Sequence, residues 1–292
     1  MTDTASRIHT IPAGAPFVDA LAAGIAARVG DDPLALAGAT VLLPTRRACR
    51  ALREAFLRRS GGRPTLLPRM VPLGDLDAEA LVLGAEELPG LAATLDLPEA
   101  VSGTERQLLL ARAVLAAGGV SATTAQAVRL AADLGRLIDQ VWTERLSFDG
   151  LARLVPADYA EHWQVTLTFL EIITAHWPAI LAGSGSVDPA DRRNRVLEAQ
   201  ARLWAERPPP GPVIAAGTTG SIPATADLLA AVAGLPAGAV VLPGLDRACD
   251  DATWEAVKAD ESHPQHGLAR LLDRLGVARD AVRPWTDTPD GR

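Results

Sequence analysis

Short apolar runs and helical stripes alternate through the first hundred residues. The runs at Ile8–Ile11 and Thr40–Leu43 predict two strands, and the weaker run at 65–67 predicts a third. Helices are expected over 16–28 and Arg46–Arg59, the second ending before a pair of glycines. Strands that alternate with helices indicate βαβ units and a parallel sheet.

Residues 102–206 follow a different pattern, in which helical spacing is continuous. Ser102 and Glu105 have the spacing of a capping box, and Pro189 suits the first turn of another helix. Two apolar stripes at helical spacing lie between them: Val128, Ala131, Leu134, Ile138, Val141 and Trp142, then Tyr159, Trp163, Leu167, Leu170, Ile173, Trp177 and Leu181. A hundred residues without a predicted strand indicate an all-helical segment.

A proline-rich stretch at 208–212 ends the helical segment, and the α/β pattern returns. Strands are expected at Val213–Ala216 and 239–242, with helices over 222–233 and His266–Leu275. We therefore predict an α/β parallel-sheet domain interrupted by an all-helical insertion. Its parts are 1–101, the insertion 102–207, and a return to the sheet at 208–292 that is expected to be truncated.

Charge and composition narrow the function classes. The 292 residues carry a net charge of −7, which argues against a freestanding module that binds by phosphate neutralisation, although one local basic patch remains compatible. Cys49 and Cys249 lack metal or disulfide spacing. Neither a leader nor a membrane span is apparent, so a cytoplasmic location is expected.

The turn after the first predicted strand stands where phosphate-binding loops are built. Pro12, Ala13 and Gly14 bring one glycine but no lysine and no hydroxyl, and the only lysine of the chain is Lys258. A working P-loop needs both, because lysine reaches the terminal phosphates and the hydroxyl holds magnesium. Two interpretations stay open, a degenerate phosphate loop and a plain βα turn, and the isolated stretch favours the plain turn.

The helix over Arg46–Arg59 holds six arginines and one glutamate. Thr45, at the carboxyl end of a strand, leads into Arg46, Arg47 and Arg50, and α/β proteins bind ligands at that edge. Phosphate contact with a nucleic acid strand is one interpretation. A solvated amphipathic helix in an arginine-rich chain is the other, and the residues alone favour neither.

A third candidate is the turn of Thr218, Thr219, Gly220 and Ser221, in which Ser221 is expected to cap the following helix. The turn suits an anion, although a well-capped βα junction is the commoner use.

Catalytic and metal-binding patterns are weak. The five histidines are scattered, only His263 and His266 are close in sequence, and the helical tryptophans are expected to pack in a core.

Several segments together resemble the N-terminal part of the AddB family, in its alphaproteobacterial form. AddB is a subunit of the AddAB helicase–nuclease for double-strand-break repair. The resembling segments, in order, are IPAGAPFVDALAAGI, TVLLPTRRACRALREAFLR, LPRMVPLGD, EHWQVTLTFLEIITAHWPAIL, DRRNRVLEAQARLW, VIAAGTTGSIPATADLLAAVAGLPAGAVVLPGLD and HPQHGLARLLDRLGV. They extend over essentially the whole chain, and their collinearity makes the resemblance specific.

The resemblance implies a RecA-like, superfamily 1 helicase-type domain with a degenerate P-loop and a helical insertion. It implies AddA and single- and double-stranded DNA ends as partners, with no ATP hydrolysis by this chain. The iron–sulfur cluster, magnesium and nuclease of the family are expected only in a C-terminal part beyond this sequence, so no metal or cofactor residue is assigned here. VLLPTRR corresponds to a strand and turn that contact single-stranded DNA in related helicases, which favours DNA contact by Arg46, Arg47 and Arg50.

The leading hypothesis is therefore a non-catalytic scaffold and DNA-channel module. Its first alternative is an independent small α/β enzyme that binds phosphate or a nucleotide at residues 217–221. Its second is an interaction protein that makes no DNA contact. Nucleotide turnover and the effect of arginine substitutions on DNA binding separate the three.

Overall fold

The computed structural model describes residues 7–30, 32–73, 97–117, 123–147 and 169–286. These residues form two compact units, one made of 7–30, 32–73 and 197–286 and the other of 97–117, 123–147 and 169–196. The first unit contains the sheet, and the described elements of the second are helices. The predicted insertion boundaries at 102 and 207 stay predictions.

The sheet unit is built on six parallel strands. They are β1 (Ile8–Ile11), β2 (Thr40–Leu43), β3 (Arg69–Pro72), β4 (Val213–Ala216), β5 (Gly238–Pro243) and β6 (Arg283–Pro284), in the order β3-β2-β4-β5-β1-β6. The parallel sheet confirms the predicted α/β class and agrees with a RecA-like arrangement. All four residues of β1, β2 and β4 are buried, as in sheets that helices cover on both faces.

Helices pack on both faces of this sheet. The helices of the unit include α1 (Phe17–Val29), α2 (Pro33–Ala37), α3 (Arg46–Arg59), α8 (Pro223–Gly234), α9 (Asp251–Ala259) and α10 (His266–Leu275). Helices α1 and α3 pack through Leu21, Ile25, Leu52 and Phe56 against one set of alternate strand residues. Helix α8 packs on β4 and β5 and contacts α10, and the remaining alternate residues of these strands point to that side.

The described helices of the second unit are α4 (Gly103–Ala116), α5 (Thr124–Thr143), a π-helix (Ile172–His176), α6 (Trp177–Ser184) and the start of α7 (Pro189–Glu206), which continues into the sheet unit. Their core includes Leu110, Leu134, Ile138 and Trp177, which confirms the expected core role of Trp177. Tyr159, Trp163 and Leu167 of the predicted stripe lie outside the described residues.

A buried ion pair joins the helices of this unit. The carboxylate of Asp188, at the start of α7, lies 3.1 Å from the Arg106 guanidinium and accepts a hydrogen bond from Trp177 Nε1 at 3.2 Å. Burial raises the pKa of Asp188, and the charge of Arg106 opposes that shift. Ser102 Oγ accepts from Glu105 N at 3.2 Å, which confirms the expected cap of α4.

One predicted strand is wrong, and some short elements were not predicted. The run at 65–67 is not a strand, and Leu66 is 49% exposed, because prolines flank the run and β3 forms at Arg69–Pro72 instead. The short edge strand β6 and helix α9 were not predicted. Within the described residues, no helix has both the length and the apolar character that a membrane crossing requires.

Trp285, directly after β6, packs against α1 and so anchors this edge strand. Its indole ring occupies the space that a Cβ on Gly24 would fill, and its Nε1 donates to Leu21 O at 3.3 Å. The guanidinium of Arg28 stacks 3.8 Å from the ring centroid, and the ring of His9 meets the indole edge to face at 5.3 Å. The cluster therefore links β1, β6 and α1.

Because His9 is buried next to Arg28, it makes the stability of the fold depend on pH. Burial, then the charges of Arg28 and Arg283, lower the pKa of His9 from 6.5 to about 4, against an opposing backbone hydrogen bond at Pro284. Below pH 6.5 the unfolded chain therefore takes up a proton that the folded chain resists. We expect His9 to remove about 2 kcal/mol of stability between pH 7 and pH 5.

Thermal unfolding at both pH values, compared between the wild type and His9→Gln, measures this contribution. The variant is expected to lose less stability on acidification than the wild type. Equal losses in the two proteins would show that His9 does not carry the effect.

Candidate nucleic-acid interface

The loops that follow the strands meet along one edge, because the carboxyl ends of parallel strands lie together. A Cβ on Gly217, after β4, would lie 3.3 Å from the Phe17 ring and 3.6 Å from Pro44, after β2. A Cβ on Gly244, after β5, would lie 3.2 Å from the Cβ of Ala13, after β1. Adjacent strands β2 and β4 lead into α3 and α8 on opposite faces, and such switch points are where open α/β sheets bind ligands.

The turn after β1 is closed by its own backbone. Ala15 N donates to Pro12 O at 3.0 Å, and Pro16 O accepts from Asp19 N and Ala20 N in the first turn of α1. No side chain caps this helix. Ala13 lies against Gly244, and Gly14 has open space around it. The turn therefore supplies no charged or hydroxyl side chain.

Phe17 is the first residue of α1, and residues 12–17 contain neither a lysine nor a hydroxyl side chain, both of which a P-loop needs. Its ring lies where a Cβ on Gly217 would come within 3.3 Å of it, and the φ of 75° at this position also favours glycine. Lys258 lies on α9, where its Nζ is 3.1 Å from the carboxylates of both Glu255 and Asp273, and hydrogen bonds to them raise its pKa. The one lysine of the chain therefore takes part in an ion-pair cluster on α9.

The arginine helix begins at the same edge. Thr45 Oγ1 accepts from Ala48 N at 3.1 Å and so caps α3. Arg46, Arg47 and Arg50 are exposed, while the opposite side of α3 is buried in the core. At the far end of α3, Arg58 binds Asp19 of α1 at 2.7 Å and thus ties two helices together.

Arg46 and Arg47 lie at the N-terminus of α3, where the positive end of the helix dipole disfavours cations. The first turn of α3 has no acidic residue and begins with Arg46 and Arg47. A cation near a helix N-terminus is unfavourable by roughly 0.3–1 kcal/mol. An anion bound at this turn would offset that penalty and would also find the positive end of the helix.

The turn of residues 217–221 is organised internally. Thr218 Oγ1 accepts from Gly220 N at 3.2 Å, and a Cβ on Gly220 would meet Leu271 of α10. The expectation that Ser221 caps α8 is wrong, because Ile222 occupies the N-cap position and provides no side-chain bond. Thr219 lies close to Gly267 of α10. An anion site at this turn stays a prediction.

A hydrogen-bond network that the sequence did not reveal holds the loop after β5. Thr10 Oγ1 donates to Leu242 O and accepts from Leu245 N, both at 3.1 Å. Gln265 Nε2 donates to Gly244 O at 2.7 Å. The exposed Arg247 belongs to this loop, two strands away from Thr45, which corresponds to about 10 Å across the sheet. Arg247 was not predicted as a site residue, although its position shortly after an apolar strand was a signal that could have identified it.

The remaining candidates for metal binding or catalysis are two histidines and two cysteines. Within the part of the chain that the structure describes, no three His, Cys, Asp or Glu side chains are placed to hold a metal ion. His263 Nδ1 accepts from Gln265 N at 3.1 Å, and the ring of His266 contacts Val257 O at 3.3 Å. Cys49 is a free thiol in the core, and Cys249 is a free thiol that is partly buried.

No protein-family model matches the chain, and no curated protein matches it significantly. The likeness to the AddB family therefore remains a resemblance carried by the segments quoted above.

Proposed function

We propose that the chain is a non-hydrolysing, helicase-like module that contacts DNA at the carboxyl edge of its sheet. In this proposal it forms the N-terminal part of an AddB-type subunit that processes double-strand ends in the cytoplasm together with AddA. The observation that carries the proposal is the exposed Arg46, Arg47 and Arg50 at the start of α3. The adjoining β1 turn offers no phosphate-binding side chain.

Charge distribution supports a local rather than a general interaction with DNA. The whole chain has a net charge of −7, whereas α3 carries six arginines against one glutamate. DNA would therefore meet one positive surface on an otherwise acidic protein. Arginine contacts to phosphates hold a strand in register but do not identify its sequence. The proposed role is accordingly to position a strand.

The alternative of a small phosphate-binding enzyme rests on the 217–221 turn, where Gly217 and Gly220 have φ of 75° and 61°. The use of the Gly220 amide by Thr218 reduces the donors left for a phosphate. The alternative of an interaction protein without DNA contact gives no role to the exposed Arg47 and Arg50 at the carboxyl edge of the sheet. We therefore favour the DNA-contact proposal.

Equilibrium binding of a fluorescent single-stranded oligonucleotide to the full chain, measured over a range of salt concentrations, tests the proposal. Three phosphate contacts predict a slope of log K against log salt of about −2, from roughly 0.7 per contact on a single strand. Absence of binding, or binding that does not change with salt, would reject the proposed contact.

A further inference from the structure

The outer side of α3 carries two neighbouring rows of residues. A helix places the positions i, i+4, i+7 and i+11 in one row along its surface, because 3.6 residues make one turn. The first row is Arg46, Arg50, Arg53 and Leu57, and the second is Arg47, Ala51, Glu54 and Arg58. Both rows begin in the first turn of α3, at the carboxyl edge of the sheet, so their charges can be compared position by position.

The first row, which we call the arginine row, is positive until it ends. Its three arginines are exposed. In the part of the chain that the structure describes, no carboxylate lies within salt-bridge distance of Arg50 or Arg53. Arg46 and Arg53 are seven positions apart, which is about 10 Å along the helix axis. Leu57, which is 51% exposed, ends the row. The arginine row is therefore a line of cations that leads away from the edge.

The second row is interrupted by an acidic residue. Glu54 lies between Arg47 and Arg58, and the guanidinium of Arg58 is bound to the carboxylate of Asp19 at 2.7 Å. A phosphate that moved along this row would meet the Glu54 carboxylate after Arg47, and like charges repel each other. Of the two rows, the arginine row is therefore the better match for a phosphate backbone.

The loop after β5 offers another direction from the same edge, but its charge is unfavourable. Arg247 is exposed in this loop. Asp246 precedes it directly, Asp250 and Asp251 follow it closely, and all three carboxylates are exposed. One cation among three carboxylates leaves the loop acidic, and a polyanion avoids such a surface. A strand bound at the start of α3 is therefore favoured along the helix rather than across the strand ends.

We propose that the DNA strand follows the arginine row along α3, with Arg53 as a further phosphate contact beyond the first turns. This inference rests on the proposed function, because it extends the same surface. Since β2 and β3 are parallel neighbours, α3 returns from the carboxyl edge towards the amino edge. Arginine contacts to phosphates fix the register and orientation of a strand. Arg53 is thus a positioning residue that sets the direction in which the strand leaves the edge.

Binding of a fluorescent single-stranded oligonucleotide to the full chain, measured over a range of salt concentrations, tests this direction. With the additional contact, we expect the salt slope of the wild type to be about −3 rather than about −2. Arg53→Ala is expected to lower that slope by roughly 0.7 and to weaken binding about fivefold near 0.1 M salt, as for one phosphate contact on a single strand. Arg53→Lys keeps the charge and is expected to retain the slope.

Two control variants remove the same charge elsewhere. Arg59→Ala changes the same helix at an exposed position outside the row, where the side chain lines a cavity with Ala26 and Phe56. Arg247→Ala changes the loop after β5. Both are expected to keep nearly all of the affinity and the slope. All three replaced arginines are exposed, so the core stays intact in each variant.

The inference and the proposed function can fail separately. Unchanged binding by Arg53→Ala, or equal losses for Arg53→Ala and Arg59→Ala, would overturn the inference. A loss for Arg247→Ala that exceeds the loss for Arg53→Ala would also overturn it and would direct the strand across the strand ends. In each case the proposed function stands if joint replacement of Arg46, Arg47 and Arg50 still weakens binding. A wild type that does not bind the oligonucleotide would reject both.

Discussion

Replacing Arg46, Arg47 and Arg50 together by alanine is expected to weaken the binding of single-stranded DNA about 100-fold near 0.1 M salt. Each lost phosphate contact removes roughly 0.7 from the salt slope, so three contacts remove about 2. At 0.1 M salt, a change of about 2 in that exponent corresponds to about two orders of magnitude in affinity. Fluorescence anisotropy of a labelled oligonucleotide at several salt concentrations measures both quantities.

A matched variant separates local contact from overall charge. The control is a triple variant that changes the net charge by the same amount at exposed positions outside α3. It combines Arg129→Ala, Arg136→Ala and Arg202→Ala. This control is expected to keep nearly all of the affinity and the salt slope. If both triple variants lose the same affinity, the positive charge acts diffusely and the α3 arginines are not a binding site.

Trp285→Ala is expected to lower the free energy of opening of the sheet by about 3–5 kcal/mol, the usual cost of truncating a buried tryptophan. The indole is 3% exposed, fills the space above Gly24, and supports the stacked guanidinium of Arg28. Its removal would leave a cavity at α1 and release β6 from β1. Native-state hydrogen exchange of the β1 and β5 amides reports the sheet unit without interference from the helical unit.

Trp285→Phe is the matched variant, because it keeps an aromatic ring and loses the hydrogen bond from Nε1 to Leu21 O. It is expected to lose clearly less stability than Trp285→Ala. A loss below about 1 kcal/mol for the alanine variant would show that Trp285 does not anchor the edge of the sheet.

Much of the sheet was predictable because its inner strands are continuous apolar runs. Thr40–Leu43 and Val213–Ala216 were placed correctly, since burial on both faces leaves a clear sequence signal. The edges were not. The run at 65–67 contains two leucines, whereas Arg69–Pro72 begins with a charged residue and ends with proline, and β6 is only two residues long. Pairing with strands that are distant in sequence therefore decides both.

In the candidate site, too, some positions follow from the sequence and some contacts do not. The position of Thr45 and Arg46 at the carboxyl edge follows from a strand that ends before a helix, and the sequence is sufficient to predict it. The contact of Phe17 with Gly217 joins residues 200 positions apart, and Gln265 reaches Gly244 from another helix. Such contacts depend on strand order, which periodicity does not encode.

Release of inorganic phosphate from Mg–ATP by the purified full chain, with saturating single-stranded DNA present, tests most directly the claim that this edge holds DNA without turning over nucleotide. We expect a rate no higher than that of a blank without protein, because residues 12–17 contain neither the lysine nor the hydroxyl that a working P-loop requires. DNA-stimulated phosphate release that Thr218→Ala or Ser221→Ala abolishes would contradict it and would place an active nucleotide site at the 217–221 turn.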